Sequence, residues 1–278
     1  MKGLITIAHL TFQEARRKRI LLGAFVLGLA FLAIYATGFW FANANLHQNA
    51  RMSSTQIHIV LNFLVMAGLY AVNFLMVMAA VLVPVDTLSG EIDSGVIQTI
   101  VTKPIGRWEI LLGKWIGFVT VLAMYLALMA GGVLLVAWSI ARFVPPNVGR
   151  GLSLMLLEGI LLMTVSIAGG TRLSTLATGV LGFGLYGLAF IGGWMEQVGT
   201  RFGSVATRNV GIVASLLVPS ESLWQLAAYH MQPAIMRDVN LTPFSPASVP
   251  SALSVVWAAI YVVALLLYAL RQLSVRDL

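Results

Sequence analysis

Six stretches of this chain are long, apolar and almost free of charge, and that feature limits the fold more than any other. They are Ile20–Phe41, Ile57–Val85, Trp115–Ile140, Leu152–Ala168, Leu173–Trp194 and Ala252–Leu270. A helix of about 20 apolar residues, rising 1.5 Å per residue, matches a hydrocarbon layer of roughly 30 Å. In that medium every backbone N–H and C=O must be paired within the element, which a helix achieves by itself. Composition agrees, with 59% hydrophobic and 10% charged residues, against about 25% charged in a soluble domain. The predicted fold class is an all-α integral membrane protein with six spans, forming a single unit over 1–278. The second and third stretches are long enough to tilt or to project beyond the bilayer.

The formal charge is +7, but the basic residues lie in the connections, where they meet anionic headgroups and set orientation rather than bind nucleic acid. With the N-terminus inside, the cytoplasmic face collects Lys2, Arg16, Arg17, Lys18, Arg19, Lys103, Arg107, Lys114, Arg172, Arg271 and Arg276. The two short outer loops hold only Arg51, Arg142 and Arg150. Arg201, Arg208 and Arg237 fall in a long connection, which crosses with little regard to charge. Both termini are therefore expected to be cytoplasmic. The basic cluster Arg16–Arg19, the apolar run after it and Ala42-Asn43-Ala44 imitate a secretory leader. The run exceeds the roughly 7–15 apolar residues of such a leader, so it is expected to stay as a membrane helix.

Residues 1–19 carry a helical pattern of their own. Lys2, Thr6, His9, Gln13 and Arg16 form one polar stripe, and Leu4, Ile5, Ala8, Phe12 and Ala15 the opposite face. That period suits an amphipathic helix in the membrane interface. In the outer connection, 195–251, Asn209–Pro219 is apolar but too short to cross, and Pro219 ends it. Ser222 and Gln225 have capping-box spacing at the start of a second short helix, with Trp224 and Tyr229 as headgroup-level aromatics. Two short outer-leaflet helices followed by an irregular Thr242–Ser251 are predicted, the alternative being an ordinary loop packed on the bundle.

Few polar residues interrupt the spans. Glu158 is the one acid inside a proposed span, and such residues usually face the bundle interior. Its place toward the outer end of Leu152–Ala168 leaves snorkelling as the competing reading. Asn62, Asn73 and His58 either line a polar pathway or hydrogen-bond to neighbouring helices, the commoner fate. The glycines of Gly179–Gly193, and Gly113-x-x-x-Gly117, are expected to let helices approach closely.

Several chemistries are excluded. There is no cysteine, hence no disulfide, thiolate nucleophile or Cys-based metal site. His9, His47, His58 and His230 are scattered, with no H-E-x-x-H, so no metal ligand is assigned. No Ser/His/Asp grouping suggests a hydrolase. The phosphate-binding G-x-x-x-x-G-K-[ST] pattern is missing, because Gly113-Lys114 is followed by Trp115.

The connection Asp86–Lys114, DTLSGEIDSGVIQTIVTKPIGRWEILLGK, is the most informative segment. Ser94–Thr102 has the length of a short helix, bounded by Gly90 and Gly95 on one side and Pro104 on the other. Such a helix across the end of a bundle can be gripped by a soluble partner.

This stretch resembles the signature region of ABC-2-type permeases, the type V ABC exporter fold, at Glu91, Gly95, Thr102, Pro104, Arg107, Gly113 and Lys114. Asp93 and Ser94 depart mildly, standing where the family often has further charges. The N-terminal helix, the six spans, the outer helices and a terminal Arg-Asp-Leu (Arg276–Leu278) extend the resemblance over nearly the whole chain. In style it is closest to the permeases grouped with the copper-maturation system of nitrous oxide reductase.

The resemblance implies a membrane subunit of an exporter in the bacterial cytoplasmic membrane. It would pair with a second permease subunit and dock a coupling helix into a separate ATPase subunit. Glu91, Asp93, Ser94, Gly95, Thr99, Thr102, Pro104 and Arg107 would carry that coupling. ATP and Mg would bind the partner, with no cofactor on this chain. Against this stand a secondary transporter, which would normally show inverted repeats that are not visible here, and a membrane scaffold without cargo.

Overall fold

A computed structural model describes residues 2–17, 19–48, 52–93, 106–234, 236 and 249–275. Among these residues the chain forms α1 (Lys2–Arg17), α2 (Arg19–Gln48), α3 (Ser54–Asp93), α4 (Arg107–Ala141) and α5 (Val148–Gly170). It continues with α6 (Thr175–Phe202), α7 (Val205–Leu217), α8 (Ser220–Met231) and α9 (Leu253–Val275). Six of them, α2 to α6 and α9, are long and apolar enough to cross a membrane; α7 and α8 make a pair bent by 102°, which would be a seventh if counted as one broken span.

The helices outrun the apolar stretches that predict them. α3 passes through Pro84 and Gly90 to Asp93, so neither residue ends it, and Gly90 is not the boundary of a separate coupling helix. A proline is tolerated inside a membrane helix because neighbouring groups re-satisfy the carbonyl it leaves unpaired. α4 begins at Arg107 rather than Trp115, with the Gly106 carbonyl accepting from Glu109 and Ile110. Glu109 in its first turn also complements the helix dipole. α2 runs unbroken through Ala42-Asn43-Ala44.

α5 is the most enclosed of the six candidate spans and packs against α3, α4, α6, α8 and α9. Met155, Leu161, Leu162 and Met163 of α5 join Leu69, Met76 and Val77 of α3 and Leu122, Leu126 and Met129 of α4 in one core. α2 joins this core along one face, through Leu21, Phe39 and Leu46. Tyr125 of α4 reaches it, donating its hydroxyl to the Ala24 carbonyl at 3.3 Å and meeting Phe25 edge-on at 5.5 Å. The outward faces of α2 and α9 expose Leu22, Val26, Ile34, Val256, Ile260 and Leu267, side chains that suit lipid.

α1 packs along the first turns of α4. Its buried face is Ile7, Thr11 and Ala15, while Ile5 is 67% exposed, so the apolar face is turned from the predicted one and Ile5 lies outside it. Thr6, His9, Gln13 and Arg16 are exposed as expected. The rotation follows from the partner helix, which presents Gly113 and Gly117. A β-carbon at Gly117 would stand 2.8 Å from the Ala8 carbonyl and from Thr11 Cβ, and one at Gly113 would stand 2.8 Å from Ile7. The predicted close approach at Gly113-x-x-x-Gly117 is made, and its partner is α1.

The connection between α6 and α9 holds the two short helices expected. α7 starts at Val205, where the Ser204 side chain accepts from Thr207 N, and stops at Leu217 ahead of Pro219. Ser222 does not cap α8. That helix begins at Ser220 with Pro219 as its N-cap, which puts Ser222 inside the first turn, and Gln225 pairs with Glu221 instead. α8 does not rest on the surface: Leu223, Trp224, Ala227, Ala228 and Met231 are all buried. The glycines of α6 divide. Gly182, Gly192 and Gly193 face Val81, Ala214 and Glu221, whereas Gly179, Gly184 and Gly187 meet nothing within 4 Å.

Candidate functional site

Two regions bring the predicted residues together. The first is the end of the bundle from which the 86–114 connection emerges. Glu91 and Asp93 fall on the helical backbone of α3. Ser94, Gly95, Thr99, Thr102 and Pro104, and with them the predicted coupling helix, lie outside the described residues. Arg107, the first residue of α4, donates from Nη1 to the carbonyls of Leu273 and Ser274, both at 3.1 Å. These belong to the last described turn of α9. The cation therefore ties the start of α4 to the end of α9. On the same helix end Gln272 accepts from Arg172 Nε at 2.9 Å, tying in the α5–α6 turn.

Lys114 extends this region inward. It sits between Gly113 and Gly117 in sequence and is 5% exposed, although the charge pattern alone makes it a surface cation. Packing of the bundle encloses it, which no single-helix pattern shows.

The second region is polar and lies inside the bundle. Glu158 is 0% exposed and Asn73 2%, and Asn73 Nδ2 donates to Glu158 Oε2 at 3.0 Å. Because α5 runs from Val148 to Gly170, Glu158 is near its middle, about 15 Å from one end and about 18 Å from the other at 1.5 Å per residue. Snorkelling toward the outer end is thereby corrected: the side chain is enclosed by α3 and its neighbours. Glu221 of α8, 6% exposed, accepts from Gln225 Nε2 at 3.4 Å and is close enough to act electrostatically on Glu158. Tyr70 of α3 and Tyr186 of α6 lie within electrostatic reach of both carboxylates.

Glu221 and Gln225 are absent from the sequence-derived candidates because their segment reads as an outer connection. Their i, i+4 spacing in the apolar run SESLWQLAAYHM is the one local signal for a buried pair. Asn62 has a structural part, donating to the Met231 carbonyl at 3.3 Å, while Asn147 donates to the His230 carbonyl at 3.3 Å. Together they satisfy the C-terminus of α8. His58 is exposed and stands beside Phe143 with ring centroids 6.0 Å apart, so it lines no interior path. Among the described residues no three His, Asp or Glu side chains gather as a metal site.

A family model described as ABC-2 family transporter protein matches residues 5–272. The chain belongs to the ABC-2 transporter family. No curated protein matches it. The permease is the membrane subunit of an ABC transporter, a multi-pass transport protein and not itself a catalyst. ABC-2 permeases generally pair with ATPase subunits. The matched range runs from α1 into the last turns of α9, so the Glu158 cluster lies inside it and the Arg107 contact with Leu273 falls one residue past its end.

Proposed function

We propose that this permease is one half of the membrane part of an exporter. It pairs with a second permease subunit and is driven by a separately encoded ATPase that grips the 86–114 connection. The ATPase supplies the site for ATP and Mg. The observation that carries this reading is the anchorage of that connection. One end continues from α3, and the other enters α4 at Arg107, which is bonded to α9 and flanked by α1 at Gly113 and Gly117. A push on the connection therefore loads α1, α3, α4 and α9 together, which suits a lever better than a slack loop. Glu91, Asp93, Ser94, Gly95, Thr99, Thr102, Pro104 and Arg107 are the residues proposed to transmit it. Orientation with both termini cytoplasmic, in a bacterial inner membrane, and interfacial placement of α1 rest on the distribution of basic residues. Kinship with the nitrous oxide reductase copper-maturation permeases rests on likeness of sequence style alone.

The test is capture from native membranes with a tag on the permease, followed by crosslinking from single cysteines placed at 94–105. Recovery of an ATPase subunit with crosslinks to it supports the reading. Crosslinks to lipid alone, with no ATPase recovered from intact protein, reject it. In the reconstituted complex, Glu91→Ala should separate ATP turnover from transport.

A further inference from the structure

Glu158 and Asn73 do not balance as a carboxylate and an amide. Asn73 Nδ2 donates to Glu158 Oε2, but Glu158 Oε1 and Asn73 Oδ1 are closed off from solvent and bonded to nothing. Both are acceptors, so neither can satisfy the other. One proton on Oε1 changes the count. The new hydroxyl donates to Asn73 Oδ1 while Nδ2 goes on donating to Oε2, the two-bond ring in which a carboxylic acid and a primary amide associate.

Charge leads to the same place. A carboxylate at the centre of a membrane helix is costly unless it is paired, and among the described residues the groups that act on Glu158 include no cation. Asn73 of α3 is hydrogen-bonded to Glu158, and Tyr70 of α3, Tyr186 of α6 and Glu221 of α8 lie within electrostatic reach, while the charged residues of α6, Glu196 and Arg201, fall in its last two turns. α4 and α9 also pack on α5. The charged residues of α4 lie in its first turns, at Arg107, Glu109 and Lys114, and Arg271 is in the final turns of α9. Tyr261 and Tyr268 of α9 lie beside Val165, Ala168 and Gly169, further along α5. A bridging water would give the two orphaned oxygens their donors but would leave the negative charge next to Glu221. A proton meets both needs.

We infer that Glu158 is a proton-binding site within the membrane domain, held as a neutral carboxylic acid in a ring with the Asn73 amide that joins α3 to α5. Placement of that proton is a property of this chain, independent of which ATPase or cargo it serves. In the unfolded chain the same carboxyl titrates in the ordinary Glu range, so the contribution of the neutral acid to the fold is full below about pH 4.3 and declines as the pH rises above it.

Infrared spectroscopy of the purified permease in lipid nanodiscs tests this, because the C=O stretch of a protonated acid is separate from the carboxylate bands. At neutral pH the wild type should show an acid component that Glu158→Gln removes and Glu221→Gln keeps. Asn73→Leu should shift that component to the higher frequency of an acid with fewer hydrogen bonds. Gln at 158 can donate its own N–H to Asn73 Oδ1, so Glu158→Gln should fold and should lose the decline in melting temperature that the wild type shows as the pH rises above the ordinary carboxyl range. A wild type with only carboxylate bands, or an acid band untouched by Glu158→Gln, overturns the inference. So does a sodium-dependent rise in wild-type melting temperature that Glu158→Gln abolishes, which would make the site one for a metal cation. Should Glu158→Gln not fold, the wild-type band and its Asn73→Leu shift decide the matter.

Discussion

Arg107 Nη1 donates to the main-chain carbonyl of Ser274 at 3.1 Å, joining the first residue of α4 to the last described turn of α9. Contacts of this kind pass motion between elements far apart in sequence, and the pair spans 167 positions. Arg107→Ala should leave the Leu273 and Ser274 carbonyls without this donor. A hydrogen bond to a charged group contributes about 1.5–3 kcal/mol when enclosed, and the half-exposed site here lowers the expectation to about 1 kcal/mol. The check is amide exchange across 271–275, which should quicken in Arg107→Ala and change less in Arg107→Lys, whose ammonium supplies a point donor without the fork. Unchanged exchange in the alanine variant would deny the contact any role.

The α1–α4 contact predicts a sharp size limit at Gly117. A β-carbon there meets the backbone carbonyl of Ala8 at 2.8 Å, and main chain cannot swing aside as a flexible side chain does. Gly117→Leu should lift α1 from α4, with an overpacking cost of about 1–3 kcal/mol, seen as new protease sensitivity within 2–17. Gly131→Ala is the control, since nothing lies within 4 Å of that position.

A second size limit concerns the α6–α7–α8 group. At Gly193 an added β-carbon would fall on Glu221 Cγ, and at Gly192 on Ala214 Cβ. Gly192→Val should lower the melting temperature by the equivalent of about 1–3 kcal/mol, while Gly184→Val, facing open space, should leave it nearly unchanged. Equal losses at both positions would show that backbone propensity rather than packing controls α6.

The C-terminus of α8 rests on two amides from different elements. Asn62 serves the Met231 carbonyl and Asn147 the His230 carbonyl. Asn62→Ala should cost about 1–3 kcal/mol, because its target is buried and keeps the full desolvation penalty. Asn147→Ala, at an exposed site, should cost less. The double variant measured by thermal unfolding should deviate from the sum of the two, since both amides hold one helix end.

Much of this architecture is written locally. Whether a stretch such as Trp115–Ile140 crosses a bilayer depends on its own length and apolarity, so the six spans could be read from the chain and their order followed from it. The same holds for the halt before Pro219 and the helical period of residues 2–17. Extent was less legible: α3 carries on past Val85 and α5 starts before Leu152, because polar residues continue a helix once it has begun. Facing could not be read at all where the partner decides it. Ile5 points outward because Gly113 and Gly117 draw Ile7 and Thr11 in, and nothing in the first turns announces that glycine surface.

By itself, the sequence determined that this is a helical membrane protein with six candidate spans, and its connection motif pointed to an ABC-2 permease. Tertiary structure decided which polar groups share an interior. Asn73 and Glu158 are 85 positions apart, and Glu221 reaches their neighbourhood only because α8 folds back into the bundle. Apolarity is a sum over neighbours along the chain, so one dimension suffices to record it. Hydrogen-bond and charge partnership depend on distances in space, and those exist only once the helices have packed.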